Sequence, residues 1–304
     1  MNILITSGGG AKGAFSVGAL RQLLITNTVS SFDLISGTST GALIAAMVAS
    51  GKVPEVIDIY LNNSNADVLN TQNVIDNLSN GKPYLYDTAP LEAQIRQQID
   101  DDAYKRIMLA DTVLCLNSVC LQSGRLTVFS NKTLKQDMHY DNIVINSREM
   151  LVKAMLASSN QAAFMIPVEL NGKQYVDGGN REVIPTRAVI SNLSATAAHQ
   201  IFILSNNPDN QAEIDTHYTQ LLDVALRAIT IFIQEVREND LEVLRNYRKI
   251  APVPIKVFYI APDEELDTQY PTGLNFNKLQ MQAWMKAGQL RAKEILTKYP
   301  NGNL

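Results

Sequence analysis

The pentapeptide Gly37-Thr38-Ser39-Thr40-Gly41 follows the apolar stretch Phe32-Asp33-Leu34-Ile35 and precedes a second apolar stretch from Ala42 to Ala49. This order predicts a strand, a sharp turn and a helix, with one serine at the apex of the turn. A serine in that position has an exposed hydroxyl, and the backbone N–H after it lies at a helix N-terminus. Gly37 and Gly41 lack the Cβ atoms that would clash in so tight a turn. The pentapeptide is therefore interpreted as a nucleophile elbow, with an ordinary strand-to-helix loop as the alternative.

The overall composition narrows the class of protein. The chain has 304 residues, of which 46% are hydrophobic, and a formal net charge of −4. Lys and Arg are spread thinly, which argues against a nucleic-acid partner. Cys115 and Cys120 have neither disulfide-framework nor metal-ligand spacing and are expected to be reduced and buried. The first residues do not resemble a signal peptide, and no apolar run approaches the roughly 20 residues of a membrane span, so a soluble, cytoplasmic protein is expected.

Apolar periodicity predicts strands that alternate with helices along most of the chain. Strands are expected at residues 2–6, 200–205 and 255–260, and helices at 14–24, 53–61, 90–99, 147–157, 218–247 and 277–299. An antiparallel pair is expected from 111–121 and 124–130, and a hairpin from 168–170 and 174–176 around Asn171-Gly172. Residues 62–82 are interpreted as an insertion or a mobile flap. The alternation indicates an α/β fold, a three-layer α/β/α sandwich with a mostly parallel central sheet.

The domain organisation follows from the same pattern. No repeat, low-complexity tract or clear linker is recognised, so a single domain over residues 1–304 is the simplest interpretation. The catalytic motifs lie within residues 1–190, and residues 200–304 contribute the strands and helices that complete the fold.

A glycine loop follows the first predicted strand. Gly8, Gly9 and Gly10 leave backbone N–H groups unencumbered near a helix N-terminus, which suits an anion site or an oxyanion hole. The alternative is the dinucleotide fingerprint Gly8-x-Gly10-x-x-Gly13, with Asp33 as the acidic residue. Asp33 precedes its strand, however, whereas the acidic residue of that fingerprint should stand at the strand's end. The oxyanion-hole interpretation is therefore favoured.

A serine nucleophile also needs a base. The three histidines, His139, His199 and His217, lie in no motif-like setting, and each is expected at the surface. Asp177 ends a predicted strand and is followed by Gly178-Gly179, so its carboxylate is placed to enter a cleft. A carboxylate serves as a base only if it is partly desolvated and held against the serine hydroxyl. The alternative is a common Asp-Gly turn.

The ordered combination of these motifs resembles the patatin-like phospholipase family over about residues 2–190. The motifs that carry the resemblance are Gly8-Gly9-Gly10-x-Lys12-Gly13, Gly37-x-Ser39-x-Gly41 and Asp177-Gly178-Gly179, with support from Ala157-Ser158-Ser159 and Tyr84 to Leu91. The resemblance implies a Ser39–Asp177 dyad without histidine, an oxyanion hole at Gly8, Gly9 and Gly10, and an acyl-enzyme on Ser39. It also implies a lipid or phospholipid substrate and no metal or cofactor. Ser7 stands where the family often has Asp, and Lys12 where Arg is usual.

The sequence does not specify how a lipid is held or whether water is the acceptor of the acyl group. Phe164, Met165, Ile166, Val68, Leu69 and Leu78 are candidates for the wall of an acyl channel, although simple packing is the commoner use of such residues. Residues 221–236 are apolar over a broad face and could lie on a membrane. A core helix or an oligomer contact is favoured there, because no Lys or Arg cluster flanks them. A ligand- or partner-switched effector and an acyltransferase remain as alternatives to a hydrolase.

Overall fold

Nine strands form one sheet in the computed structural model, which describes residues 1–72, 74–209, 217–267 and 273–304 and their side chains except those of Ile75 and Leu222. The strands are β1 (Asn2–Thr6), β2 (Leu34–Thr38), β3 (Val113–Cys120), β4 (Leu126–Ser130), β5 (Asp141–Val144), β6 (Val168–Leu170), β7 (Lys173–Asp177), β8 (His199–Leu204) and β9 (Ile255–Ile260). Parallel pairing joins β3, β2, β1, β8 and β9 in that order. The carboxyl ends of these five strands therefore meet at one edge, where ligands bind in open α/β sheets.

The strands are connected and flanked by α-helices in the described residues. These are α1 (Gly13–Ile25), α2 (Thr40–Ala49), α3 (Val53–Asn62), α4 (Asn65–Val68), α5 (Val74–Ser79), α6 (Ala89–Gln98), α7 (Asp101–Leu109), α8 (Arg148–Ser159), α9 (Arg187–Asn192), α10 (Leu221–Ile250) and α11 (Lys278–Lys298). Side chains mark several of the starts: Asp100 accepts a hydrogen bond from Ala103 N at 2.7 Å, and Ser147 accepts one from Met150 N at 3.1 Å. These are N-caps, which satisfy backbone donors that have no partner within the helix.

Both faces of the sheet are covered by helices. Residue Leu4 of β1 packs into a core with α1, α2, α8 and α11, whereas Ile3 and Ile5 pack into a second core with α9 and the carboxyl-terminal half of α10. Alternate side chains of a strand point to opposite faces, so one strand supplies both cores. The predicted three-layer sandwich with a mostly parallel sheet is thereby confirmed.

The antiparallel elements also match their predictions. Strand β3 pairs with β4, with Leu116 opposite Phe129. Strand β6 pairs with β7 across Asn171 and Gly172, whose φ angles are 53° and 74°. Positive φ at both central residues is what a two-residue type I′ hairpin turn requires. Strand β7 also pairs with β3, and this pairing brings Asp177 opposite Ser118.

The segment interpreted as an insertion or flap is partly folded. Its described residues include α4 and α5, and Val68 and Leu69 are buried. The backbones of Asn70 and Asp87 form a bridge that ties this segment to the start of α6.

Helices α1 and α11 touch through two glycines. A Cβ atom on Gly18 would stand 1.8 Å from the carbonyl oxygen of Met285, and one on Gly288 would stand 2.0 Å from that of Phe15. Since real Cβ atoms do not approach a carbonyl oxygen so closely, the two backbones can be in contact only if both positions lack a side chain.

Gly288→Ala is therefore expected to lower the free energy of unfolding by about 1–3 kcal/mol, because the added methyl group forces α11 away from α1. In an exposed helix the same substitution would raise the free energy of unfolding by about 1 kcal/mol. The sign of the measured change therefore shows whether the two helix backbones are in contact at Gly288. Urea unfolding followed by circular dichroism measures the change. Ala287→Gly, at the exposed neighbouring position, is the control and should cost about 1 kcal/mol through helix propensity alone. Unchanged or higher stability of Gly288→Ala would contradict the contact.

Candidate active site

Ser39 lies in the tight turn between β2 and α2. Its backbone has φ 59° and ψ −130°, a conformation that non-glycine residues rarely adopt. Such strain persists only where the surrounding structure enforces it, and it is concentrated at functional sites. A Cβ atom on Gly37 would stand 2.3 Å from the carbonyl oxygen of Gly41, and one on Gly41 would stand 2.2 Å from that of Thr6. The two glycines of the pentapeptide are therefore required by the close packing of the turn.

The backbone of Ser39 is held from behind by a second serine. The Ser39 N–H donates to the hydroxyl oxygen of Ser158 at 3.0 Å, and that hydroxyl donates to the carbonyl oxygen of Asn117 at 2.5 Å. Ser158 lies at the end of α8 and is fully buried. Its hydroxyl thus connects the turn, α8 and β3, and it fixes the orientation of the turn that carries Ser39.

Asp177 lies at the carboxyl end of β7, beside Ser39. Its carboxylate lies close enough to the Ser39 hydroxyl for the two groups to interact, and Gly179 N donates to Asp177 Oδ1 at 2.7 Å. The side chain is 6% exposed. Burial raises the pKa of Asp177 to about 6, although the Ser39 hydroxyl and the Gly179 N–H lower it in part. The carboxylate is therefore a stronger base than an exposed aspartate while remaining charged at neutral pH.

The glycine loop passes directly over Ser39. A Cβ atom on Gly8 would stand 3.2 Å from Ser39 Cβ. Gly8 N donates to the carbonyl oxygen of Val183 at 3.2 Å, so this amide is already engaged. Within the described residues, the N–H groups of Gly9 and Gly10 have no hydrogen-bond partner. The loop thus offers two amides rather than the three that the sequence suggested.

The glycine loop is positioned by a residue that the sequence reasoning missed. The Asn206 side chain donates to the carbonyl oxygens of Ser7 and Gly8 at 3.1 and 3.3 Å, and its backbone N–H donates to Ser7 Oγ at 3.0 Å. Asn206 is fully buried, and its Cβ occupies the space that a side chain on Gly9 would need. Asn206 lies two residues after the end of β8, the parallel neighbour of β1, so the sheet order was the signal that could have found it.

The remaining glycines and the lysine of the predicted motifs are packed into the same region. A Cβ atom on Gly13 would stand 2.5 Å from the Tyr60 hydroxyl, and one on Gly178 would stand 2.5 Å from the Asn117 carbonyl oxygen. Lys12 is buried, and its ammonium group lies 3.0 Å from Glu265 Oε1. The lysine therefore has a charged partner in the fold, rather than standing free beside the loop.

A cavity of about 320 Å³ opens over Ser39 and Asp177 and is lined mostly by apolar side chains. The apolar lining includes Leu43, Met47, Val56, Ile59, Val68, Leu91, Ile95, Met155, Met165, Leu274, Phe276 and Met281. Pockets of this size and character hold small apolar molecules with a few polar groups for orientation. The cavity is therefore suited to an acyl chain whose polar end lies at Ser39.

Only part of the predicted channel wall reaches this cavity. Val68 and Met165 line it, whereas Leu69 and Phe164 are buried elsewhere. Ile166 and Leu78 are 40% and 70% exposed. The prediction was therefore correct for two of the six residues, because an apolar residue near the motif can equally be core or surface.

Helix α10 closes one side of the cavity, so of the two roles predicted for residues 221–236 a core helix is wrong, whereas an oligomer contact stays a prediction. Of the residues 221–236 whose side chains are described, none is buried, and burial begins at Arg237. Leu221, Val224, Ile231 and Phe232 are exposed outward, whereas Ile229 and Ile233 line the cavity. In the described part of the chain, neither this helix nor another has the length and hydropathy that a membrane span demands.

The histidines do not contribute to the cavity lining. His139 and His217 are exposed as predicted. The prediction of a surface position was wrong for His199, which is 1% exposed and has Nε2 2.9 Å from the carbonyl oxygen of Ser194. His199 begins β8, and this strand is covered on both sides by β1 and β9.

Asp33 and the two cysteines behave as expected. Asp33 lies before β2, at the opposite edge of the sheet from the glycine loop, and its carboxylate accepts from Asn2 N at 2.7 Å. It therefore cannot reach a nucleotide bound at Gly8–Gly10.

Cys115 and Cys120 are buried and unpaired, and burial raises the pKa of Cys115 to about 12.

The fold and this arrangement define an α/β protein with a strained serine turn beside a buried carboxylate and a glycine loop. A model of the family described as patatin-like phospholipase matches residues 4–198, more than half of the chain. The chain belongs to the patatin-like phospholipase family. The roles of the individual site residues remain predictions at this point.

Comparisons with individual proteins are more distant. A stretch of 62 residues is 42% identical to a cUMP-AMP-activated phospholipase of Escherichia coli and covers 19% of each chain. The structure of VipD from Legionella pneumophila has a TM-score of 0.46 at 13% identity, over 98% of this chain and 67% of that one. The type III effector protein ExoU has a TM-score of 0.42 at 13% identity, over 98% and 52%. The match with the curated relative thus spans about a fifth of its length.

Ser158→Ala is expected to lower the free energy of unfolding by about 1–3 kcal/mol, because it removes the hydroxyl that accepts from the Ser39 N–H and donates to the Asn117 carbonyl group. Ser159→Ala is the matched control, since among the described residues the Ser159 hydroxyl bonds only to carbonyl groups of its own helix, and it should change stability by less than about 0.5 kcal/mol. Thermal and urea unfolding measure both. Equal losses in the two variants would contradict the bridging role of Ser158.

Proposed function

We propose that the protein is a lipid acyl hydrolase that cleaves carboxylic esters through an acyl-enzyme on Ser39, with Asp177 as the base. The observation that carries this proposal is the position of the strained Ser39 beside a buried carboxylate of raised pKa, in the wall of a mostly apolar cavity. Membership of the patatin-like phospholipase family supports the same class of reaction.

The reaction follows from the arrangement of these groups. Ser39 Oγ attacks the ester carbonyl carbon while its proton passes to Asp177, and the carbonyl oxygen becomes an oxyanion. The tetrahedral intermediate collapses, the C–O bond to the alcohol breaks, and the alcohol leaves with the proton from Asp177. Water then attacks the acyl-enzyme and gives a proton to Asp177. When the carboxylic acid leaves, that proton returns to Ser39 Oγ.

The oxyanion is assigned to the N–H groups of Gly9 and Gly10. Both glycines line the cavity that Ser39 also lines, and neither N–H has a partner in the described residues. Preorganised donors of this kind stabilise developing charge, and the loss of one typically costs about 10²–10³ in turnover. Gly8, whose amide bonds to Val183, instead provides the space in which the carbonyl group can approach Ser39.

The proposed Ser39–Asp177 dyad predicts that substitution of either residue abolishes hydrolysis and that hydrolysis by the wild type depends on pH. Ser39→Ala and Asp177→Asn should each abolish hydrolysis of a short-chain ester, and a fluorophosphonate should label only protein that retains Ser39. In the wild type, kcat/KM should fall as the pH drops below about 6, because a protonated Asp177 cannot accept the Ser39 proton. Retained activity in Ser39→Ala would refute the mechanism. Product analysis with added glycerol distinguishes transfer to an alcohol from hydrolysis.

Stability provides an independent readout of the same carboxylate. The folded pKa of Asp177 lies above its ordinary value of 3.8, so the wild type loses stability as the pH rises from 3.8 through about 6. Asp177→Asn buries no charge and should be more stable than the wild type above that range, by up to about 3 kcal/mol. The difference in stability between Asp177→Asn and the wild type should vanish in acid, where Asp177 is protonated in the wild type. A variant that is less stable at neutral pH would show that the carboxylate is not desolvated.

We further propose that the outer face of α10 contacts the lipid surface from which the substrate is taken. Its exposed residues Leu221, Val224, Ile231 and Phe232 share one side of the helix, and the opposite side lines the cavity. Apolar side chains on such a face can enter the boundary between headgroups and acyl chains. The proposed substrate would then reach the cavity from the surface on which the helix lies.

Phe232→Ser is expected to weaken sedimentation with vesicles of phosphatidylcholine and phosphatidylglycerol by about tenfold, since burial of a phenylalanine side chain is worth about 1.5–3 kcal/mol. Hydrolysis of a soluble short-chain ester serves to normalise each preparation. The control is Ile250→Ser, at a residue that is 80% exposed at the other end of the same helix. If both variants bind vesicles alike, the outer face of α10 is not the contact.

A ligand-switched form of the same enzyme is the second candidate. The Escherichia coli relative is described as activated by cUMP-AMP, and α10 covers one side of the cavity, where a movement would change access. Assays of the purified protein with and without a cyclic dinucleotide separate a constitutive hydrolase from a switched one.

A further inference from the structure

The two amides assigned to the oxyanion are held by different kinds of contact. The Gly10 N–H shares its peptide with the Gly9 carbonyl group, which accepts from Lys12 N at 3.1 Å in the backbone turn that follows. The Gly9 N–H shares its peptide with the Gly8 carbonyl group, which accepts from no backbone N–H among the described residues. The peptide between Gly8 and Gly9 is therefore held by side chains.

Ser7 and Asn206 provide these side chains. The Ser7 hydroxyl donates to the Gly8 carbonyl oxygen at 3.1 Å, and Asn206 Nδ2 donates to the same oxygen at 3.3 Å. The backbone N–H of Asn206 donates to Ser7 Oγ at 3.0 Å, so the two residues are also joined to each other. Both are fully buried. They form a pair of donors around one carbonyl oxygen.

A third residue fixes which end of the Asn206 amide is the donor. The hydroxyl of Ser16, in α1, donates to Asn206 Oδ1 at 2.7 Å. Nδ2, which has the only N–H groups of that side chain, then faces the carbonyl oxygens of Ser7 and Gly8. The amide cannot turn over without the loss of all these hydrogen bonds.

The orientation of the Gly8 carbonyl group determines that of the Gly9 N–H. The C=O and N–H groups of a trans peptide point to opposite sides. Among the described residues Gly9 lines the cavity, whereas Ser7 and Asn206 do not. Since the Gly8 carbonyl oxygen is held toward the buried pair, the N–H of the same peptide is directed away from it, to the side of the cavity.

We propose that Ser7 and Asn206 are positioning residues that hold the Gly9 N–H toward the oxyanion. This rests on the proposed function, because it takes the oxyanion to form beside Ser39. A peptide between two glycines turns easily, since neither residue has a Cβ atom that restricts it. Donors stabilise a developing charge best when they need no reorganisation during the reaction. Asn206 also lies beyond residues 4–198, the part of the chain that the family model matches.

Kinetics of the two alanine variants provide the first test. Ser7→Ala and Asn206→Ala should each lower kcat for a soluble short-chain ester by about tenfold to a hundredfold, less than the roughly 10²–10³ that a whole donor is worth. KM should change by less than about threefold, because the contact strengthens in the transition state. The double variant should lose no more than about 10³, since both residues hold one carbonyl group. A larger loss, or an unchanged kcat in Asn206→Ala, would overturn the proposal.

Ser130 and Asn131 provide matched controls that do not line the cavity among the described residues. Both are buried. Ser130 Oγ donates to the Lys132 carbonyl oxygen at 2.6 Å, and Asn131 Nδ2 donates to two backbone carbonyl oxygens at 2.8 and 2.9 Å. Ser130→Ala and Asn131→Ala thus remove the same types of bond as Ser7→Ala and Asn206→Ala. Urea unfolding should show comparable losses of stability, with kcat within about twofold of the wild type in the controls alone.

A pair of ketones separates the oxyanion from the rest of the cavity. Ser39 Oγ adds to the carbonyl carbon of decyl trifluoromethyl ketone, its proton passes to Asp177, and the ketone oxygen becomes a hemiketal oxyanion. Decyl methyl ketone has the same chain and resists this addition. Ser7→Ala and Asn206→Ala should raise the inhibition constant of the first ketone by the factor lost in kcat and leave that of the second unchanged. Equal factors for the two ketones would overturn the positioning role.

Binding of an anion separates this proposal from the proposed function. Decanesulfonate has an alkyl chain for the cavity and oxygens that accept from the Gly9 N–H without any attack by serine. In Ser39→Ala protein its affinity, measured by calorimetry, should fall by about tenfold when Asn206→Ala is added, as expected for one hydrogen bond to a charged group. If the wild type hydrolyses no ester and this difference persists, the hydrolase alone is refuted. If decanesulfonate shows no difference in affinity, the positioning role is refuted.

Discussion

The alignment of β1 with β2 is the constraint on which the candidate site depends. Thr6 pairs with Gly37 at the carboxyl ends of the two strands, and the Thr6 hydroxyl donates to the carbonyl oxygen of Gly41 at 2.8 Å. This contact holds the start of α2 against the end of β1, where only a glycine at position 41 leaves room for the Thr6 carbonyl group. Because the glycine loop begins at the next residues, the amides of that loop and the Ser39 hydroxyl are brought to the same place. A shift of one residue in this register would separate the candidate nucleophile from the proposed oxyanion donors.

Two buried carboxylates extend this constraint to the far side of the sheet. Asp240 of α10 accepts hydrogen bonds from Val183 N and Ile184 N at 2.7 and 3.0 Å, and Val183 in turn accepts one from Gly8 N. Glu182 accepts from Arg187 N at 2.7 Å and from Asn117 Nδ2 at 2.6 Å. Burial and the charge of Glu182 raise the pKa of Asp240 to about 8. Such groups are costly unless they are fully bonded, so the segment after Asp177 is fixed firmly between α10 and the glycine loop.

The sequence revealed the parts of the site whose chemistry is local, and it missed those that depend on tertiary contacts. Glycine, serine and aspartate motifs are recognisable because a tight turn or an open amide requires those residue types at fixed spacing. The structure brought Ser39, Asp177 and the glycine loop together as the resemblance implied. Ser158 bonds to Ser39, which is 119 positions away in the chain, and Asn206 bonds to Ser7, which is 199 positions away. Hydrophobic periodicity does not predict contacts between such distant residues. The amide of Gly8 was counted as a donor because its partner, Val183, lies equally far along the chain.

Helix α10 shows why hydrophobic periodicity alone cannot assign a role to a helix. Its first half is apolar on two sides, and the prediction of a core helix or an oligomer contact assumed that protein covers both. In the structure one side faces the cavity and the other faces outward, with Phe232 67% exposed. The same helix continues to Asp240, which is hydrogen-bonded to the segment beside the glycine loop. A force on the outer face of α10 would therefore act on the cavity wall and, through Val183, on the amide of Gly8. The outer face of α10, the cavity and the glycine loop are thus joined through one helix, so a contact on that face is coupled to the geometry of the candidate site.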